Sequence, residues 1–308
     1  FNIIYFVFLP SQIIKTKIDF DYFFLVFKFF LITTIIVGYV DYVLARLEII
    51  DLVARHIRDG VGIAGRFHGL SGEPRQAAVN IVFNFSMYIL YCKYFNTKPK
   101  IWILFLLILS MLLTTSASLF FGVIFFCILL IFFRIIKLSY IIILSLIIVL
   151  MSNTPYIQIY LSQIKGAWQI LESGEDMFYY LRLIRGELFP LYDLIKKIQN
   201  YEFIPVIFGN GLGSASAINN QYIGEYIGIA NPNSQLVRIL FEAGVLGTAV
   251  FIVSMVHPIY YFTRNTDKKT INLYVITMLM VLGVTFAIRS SVIFIYLGII
   301  TSLLRYYK

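Results

Sequence analysis

Seven apolar runs, read as long enough to cross a lipid hydrocarbon core of about 30 Å, constrain this chain more than any other feature. They cover roughly residues 22–40, 77–92, 101–133, 138–151, 244–262, 271–288 and 291–304. A soluble domain cannot absorb such runs, and the composition agrees: 60% hydrophobic, 17% aromatic and 13% charged residues, with a mean hydropathy of +0.85. Inside lipid every backbone N–H and C=O must find an internal partner, so only helices and closed barrels cross. The runs lack the period-2 alternation of barrel strands. The expected fold is therefore all-α, a polytopic helical bundle embedded in a membrane.

The run over 101–133 is too long for one span and is interrupted by Thr114, Thr115, Ser116, Ala117 and Ser118. Two helices joined by a tight turn are expected there, which brings the total to about eight spans, with a partial one over 1–9. All of it reads as one membrane domain, 1–308. The chain starts at Phe1 and shows no cleavable signal peptide, so missing N-terminal spans are expected. Cys92 and Cys127 fall in or at spans and read as packing residues.

Lys and Arg in the connecting segments set the orientation. Lys15/Lys17, Lys93/Lys98/Lys100, Arg134/Lys137, Arg264/Lys268/Lys269 and Arg305/Lys308 share one side if 101–133 is a hairpin, and that side reads as cytoplasmic. Opposite them lie two large outer loops, 41–76 and 152–242, and the short turn at Arg289. The 25 basic residues then divide into 12 inside, 12 outside and Lys28 within a span; nine of the outer twelve are Arg, whereas nine of the inner twelve are Lys. Insertion does not require this segregation. Guanidinium offers a planar fork of donors that matches phosphate and carboxylate, so the outer arginines are candidate ligands of an anion. The competing use is pairing with outer acids, among them Asp41, Glu73 and Glu242.

Each outer loop contains a candidate polar site. Residues 43–57 have the pattern of an amphipathic helix lying in the outer interface. After it, Arg66-Phe-His-Gly-Leu-Ser-Gly-Glu-Pro-Arg75 places Arg66, His68, Glu73 and Arg75 within ten residues at the lip of the next span. In the second loop Asp176 can cap a helix bearing Arg182 and Arg185 on one face. A glycine-rich turn, Phe208-Gly-Asn-Gly-Leu-Gly213, follows without the lysine or the spacing of a nucleotide-binding loop. Asn231 to Ser234 then offer helix N-caps. A helix is expected to about Ala243, with Gln235, Arg238 and Glu242 on one face and Gly244 at its end. An i,i+4 Arg238–Glu242 pair is the plain alternative to a ligand role for those two residues.

These residues resemble the superfamily of O-antigen ligases and Wzy-type O-antigen polymerases. Asn233-Ser234, nine residues, then Gly244-Val-Leu-Gly247 has the spacing of the ligase signature, and it follows an arginine-bearing loop segment and the turn containing Gly211 and Gly213 in the same order. Leu112-Leu-Thr-Thr-Ser-Ala-Ser118 is similar to a Thr-Gly-Ser-Arg-Gly segment of the family, and Arg66 to Arg75 to an Arg…Gly…Glu-Pro segment of the polymerases. The signature histidine is Asn233 here, which cannot serve as a base near neutral pH, and Ala117 stands where an arginine is expected. Loss of the histidine favours polymerase over ligase.

The resemblance implies a metal-independent membrane glycosyltransferase. It would move a glycan from undecaprenyl diphosphate to a sugar hydroxyl on the outer face of a bacterial inner membrane, with a chain-length regulator and a flippase of the same pathway as partners and no cofactor or nucleic acid. Developing charge on a diphosphate leaving group can be stabilised by arginines and helix N-termini, and no metal-ligand spacing is present. The expected roles are Glu73 as general base, with His68 and Glu242 as rivals; Arg66, Arg75, Arg182 and Arg185 on the diphosphate; Arg238 and Arg289 as secondary contacts; and Asn233 orienting substrate. An O-antigen ligase and a lipid-linked sugar flippase are the alternatives. The second fits less well because only Lys28 lies well inside a span and no repeat is visible.

Overall fold

The computed structural model describes residues 14–47, 66–71, 74–114, 116–132, 188–223, 234–262, 268–287 and 290–306, with isolated positions between them. Among these residues every regular element is helical, as an all-α membrane chain requires. The chain forms two compact units. The first comprises Phe1–Met151, Val256–Thr285 and Ser290–Lys308; the second comprises Ser152–Met255 and Phe286–Arg289.

Helix α1 of the first unit, Lys17–Arg46, begins with a reciprocal cap. The Asp19 amide donates to Thr16 Oγ1 at 3.2 Å, and the Thr16 amide donates back to Asp19 Oδ2 at 2.8 Å. Two orphan donors of the first turn are thus satisfied. The helix then presents Tyr22, Phe29, Phe30 and Ile36 outward while Phe20, Phe24, Leu31 and Ile35 are buried. An outward aromatic and aliphatic face of this size suits lipid. Among the described residues, two helices are long and apolar enough to cross a membrane: Lys17–Arg46, with mean hydropathy 2.3, and Gln235–His257, with 2.2. The first continues six residues past the expected end of its span at residue 40, so Val43–Arg46 belong to it and not to a separate amphipathic helix; most of 47–57 lies outside the described residues.

Helix α2, Pro74–Tyr94, starts on a proline, the residue that loses nothing at a first helical position. It is long enough to span, but Asn80 and Asn84 keep it out of the strongly apolar class. The expected break in the 101–133 run is present. Helix α3, Ile101–Thr114, stops, and α4, Ala117–Phe132, resumes. The two are bent by 119° and together are apolar enough for one further, broken crossing. Helices α1, α2 and α3 share a core of Leu31, Ile35, Ala77, Ile81, Tyr88, Ile103 and Leu107 around Phe67. Against α4 packs the helix Lys268–Ala287, at a crossing built from glycine: a Cβ on Gly122 would lie 2.8 Å from Val284 Cα, and one on Gly283 would lie 2.6 Å from Gly122 O. Small residues at such a crossing let backbones approach where lipid supplies no hydrophobic drive. The expected spans over 1–9 and 138–151 lie outside the described residues, apart from Val149.

The second unit contains α5, Leu188–Gln199, α6, Phe203–Phe208, α7, Ser214–Ile223, and most of α8, Gln235–Phe262. Leu194, Ala215 and Phe241 form its core. The chain is completed by α9, Lys268–Ala287, and α10, Val292–Tyr306.

Candidate functional site

Among the described residues, each unit brings some of the candidate site residues together. In the first, the segment Arg66–Ser71 is sewn onto the surrounding helices by its own sequence. Arg66 Nε donates to Thr114 O at 2.9 Å, so the guanidinium caps the C-terminus of α3, where carbonyls lack helical donors. The next amide, Phe67 N, donates to Leu113 O at 3.0 Å. The Phe67 ring is buried beside Tyr39 and Tyr42, with centroids at 5.2 and 5.9 Å. It has room because residue 38 is glycine, where a Cβ would come within 3.0 Å of Phe67 Cζ.

His68 follows, almost fully buried, with Nε2 at 3.3 Å from Oδ2 of the equally buried Asp41. Its Nδ1 lies 3.1 Å from Gly69 O. Asp41 Oδ1 accepts from the Leu52 amide at 2.8 Å. The carboxylate therefore gathers two chain segments onto the end of α1. With oxygen neighbours at both ring nitrogens and almost no solvent exposure, His68 is placed as a clasp; a general base needs an open nitrogen within reach of the hydroxyl it deprotonates. Asp41, read from sequence as the start of an outer loop, stands on α1, which continues to Arg46, and His68 is one of its neighbours. Arg75 is half-buried in the first turn of α2. Glu73 lies outside the described residues.

In the second unit, the glycine turn and the spaced-glycine helix expected from sequence form one construction. Ser234 caps α8: its Oγ accepts from the Val237 amide at 3.3 Å and donates to Phe286 O at 2.8 Å. The helix runs to Ala243 and breaks at Gly244, which has φ 68 and ψ −173 before helical geometry resumes. In an unbroken helix Phe241 O and Glu242 O would accept from residues 245 and 246; the break deprives them of those donors. The turn after α6 replaces them. Asn210 N and Nδ2 donate to Phe241 O at 2.9 and 3.0 Å, and Gly211 N donates to Glu242 O at 3.0 Å.

Such backbone-to-backbone proximity excludes side chains. A Cβ on Gly209 would lie 2.3 Å from Glu242 O, and one on Gly244 would lie 2.2 Å from Ile207 O. Lys197 fixes the turn from the other side, donating to Asn210 Oδ1 at 2.5 Å and pairing with Asp193 at 2.7 Å. It also lies over the Phe241 ring at 5.5 Å. Arg238 and Glu242 form the i,i+4 pair, Nε to the two carboxylate oxygens at 3.2 and 3.3 Å, with Glu242 buried and Arg238 28% exposed. Glu242 is thereby committed to Arg238. Gly211 and Gly213 adopt φ 92 and 84 in open space, and Gly247 lies one turn beyond the break. Arg182, Arg185, Asn233 and Arg289 lie outside the described residues.

The sequence named Asp41 only as an acid for pairing and Gly209 and Asn210 only as parts of the glycine-rich turn, and it gave Lys197 no role. Gly209 opens the glycine-rich turn and was the readable signal; nothing local marks Lys197 as the partner of Asn210. Comparison of the chain with family models, curated proteins and solved structures finds no match in any of the three.

Proposed function

We propose that the chain is a surface-polysaccharide polymerase, transferring glycan repeat units from undecaprenyl diphosphate to a sugar hydroxyl at the outer face of the membrane. The observation that carries this reading is the lock between the Phe208–Gly213 turn and the helix starting at Gln235. The two stretches on which the resemblance rests, separate in sequence, are in mutual contact, and the glycine at 244 has a geometric reason. Support also comes from Arg238 on the first turns of a capped helix. Its Nε is held by Glu242, and its remaining N–H groups are the donors proposed for an anion.

In the proposed reaction the acceptor hydroxyl oxygen bonds to the anomeric carbon of the donor glycan. The bond from that carbon to the diphosphate oxygen breaks, and undecaprenyl diphosphate departs with the electron pair. Glu73 takes the hydroxyl proton. Arg66 and Arg75 in the first unit and, as a separate candidate set, Arg182 and Arg185 in the second are proposed donors to the departing diphosphate, with Arg289 secondary and Asn233 orienting substrate. The anionic charge that grows on the leaving group is what fixed guanidinium donors stabilise most in a site of low dielectric.

Membranes containing the protein, supplied with lipid-linked repeat units extracted from a strain that lacks it, test this reading. Conversion to longer lipid-linked chains with release of undecaprenyl diphosphate is expected. Repeat units left unextended while the same membranes attach preformed polymer to an acceptor lipid would replace polymerase by ligase.

A further inference from the structure

The helix-turn segment over 195–212 falls in a stretch read as an aqueous outer loop, yet beside exposed Lys196, Gln199, Asn200 and Glu202 it presents a patch of exposed apolar side chains. Helix α6 reads Phe203-Ile-Pro-Val-Ile-Phe208, without one polar side chain. Tyr201 is 81% exposed, Ile204 75%, Phe208 63% and Leu212 93%. Ile195 and Ile198 on α5 extend the same character. Exposed apolar side chains concentrated over so short a stretch mark a surface that something covers.

Three further observations indicate what covers it. The segment is bonded backbone to backbone onto α8 at its break, and immediately past that break α8 exposes Val245, Leu246, Val250 and Val253. These belong to a helix long and apolar enough to cross a membrane, so the patch adjoins, through the Gly209–Gly244 contact, an exposed apolar face suited to lipid. Next, the turn arrives with its polar groups occupied: Asn210 N, Asn210 Nδ2 and Gly211 N serve the α8 carbonyls, and Lys197 is paired with Asp193 and Asn210. Lipid demands that internal satisfaction, whereas water does not. Finally, Lys196 lies over the Tyr192 ring at 4.5 Å, a basic and aromatic pair of the kind that marks the headgroup level.

We infer that residues 195–212 dock into the bilayer interface beside α8, with Ile204, Ile207, Phe208 and Leu212 seated among the acyl chains. The occupant of this surface is membrane lipid. The lock at Gly244 then holds the N-terminal part of α8 at a fixed height relative to the lipid surface. This inference is independent of the proposed reaction.

The test is Leu212→Cys in the full chain, labelled with an environment-sensitive fluorophore in proteoliposomes. Cys92 and Cys127 are buried, and residue 212 has almost no protein contacts to lose. Lys98→Cys, on an exposed connecting residue, is the aqueous reference. Several-fold stronger quenching by acyl-chain-brominated lipid at 212 than at 98, with blue-shifted emission, is expected at every protein-to-lipid ratio. Emission and quenching equal to those at 98 would overturn the inference. So would a shift that disappears on dilution into excess lipid, or cysteine crosslinks between copies at 212, since either would mean that a second chain covers the patch. Phe208→Cys repeats the measurement from α6.

Discussion

A side chain on Gly244 would put its Cβ 2.5 Å from the amide nitrogen of Gly209. The two glycines meet back to back, and both adopt backbone angles near φ 70–90 with ψ close to 180: Gly209 at 86 and 176, Gly244 at 68 and −173. That region is essentially glycine-only. Gly209→Ala and Gly244→Ala should each cost at least the 1–3 kcal/mol typical of such strain, with the displaced backbone adding to it. Gly211→Ala, at φ 92 but meeting nothing within 4 Å, should cost only about 1 kcal/mol. Thermal melts of the purified protein in detergent check the order, and equal losses at 211 and 244 would show that the close approach is unimportant.

Asp41→Ala removes the acceptor of the Leu52 amide and the partner of His68 at once. Breaking a buried pair by deleting one member typically costs about 3–5 kcal/mol. The melting midpoint should fall strongly for Asp41→Ala. It should fall less than additively for Asp41→Ala combined with His68→Ala, because the second deletion removes a partner already lost. Strict additivity would mean the two side chains do not act as a clasp.

Gly283→Val inserts a branched side chain where even a Cβ would lie 2.6 Å from Gly122 O and 3.1 Å from Phe126 N. Overpacking of this kind costs about 1–3 kcal/mol or more. Reduced yield of folded protein in gel-filtration profiles is expected, whereas Val250→Ala, on an exposed apolar face, should give a parental profile.

For the proposed chemistry, Arg185→Ala and Glu73→Gln should each abolish chain growth while protein of normal abundance still inserts. Loss of one positioned charge contact typically costs about 10²–10³ in rate, enough to erase long chains from a gel. Normal polymer from Arg185→Ala would remove that arginine from the diphosphate.

Much of the local architecture was legible because local chemistry writes it. The break at Thr114 to Ala117, the turn at Phe208 to Gly213 and the helix end at Gly244 all sit where small, polar or glycine residues interrupt apolar runs. The partnerships were not legible. Asp41 looked like a loop acid because the apolar run fades near residue 40, yet helix α1 continues to Arg46 and the burial of Asp41 depends on His68, 27 positions further on. Lys197 looked like a surface cation, and its role depends on Asn210 and Asp193 converging through a fold. Apolarity likewise marked the long runs as candidate spans but passed over α6, whose six residues are too few to register as one.

The central claim is polymerisation, and the most direct measurement is the surface-glycan banding pattern on a gel from a strain deleted for the gene, with and without the intact gene restored. The deletion should lose its ladder and retain a core-plus-one-unit band, and restoration should return the ladder. A deletion strain whose ladder is unchanged would contradict the claim.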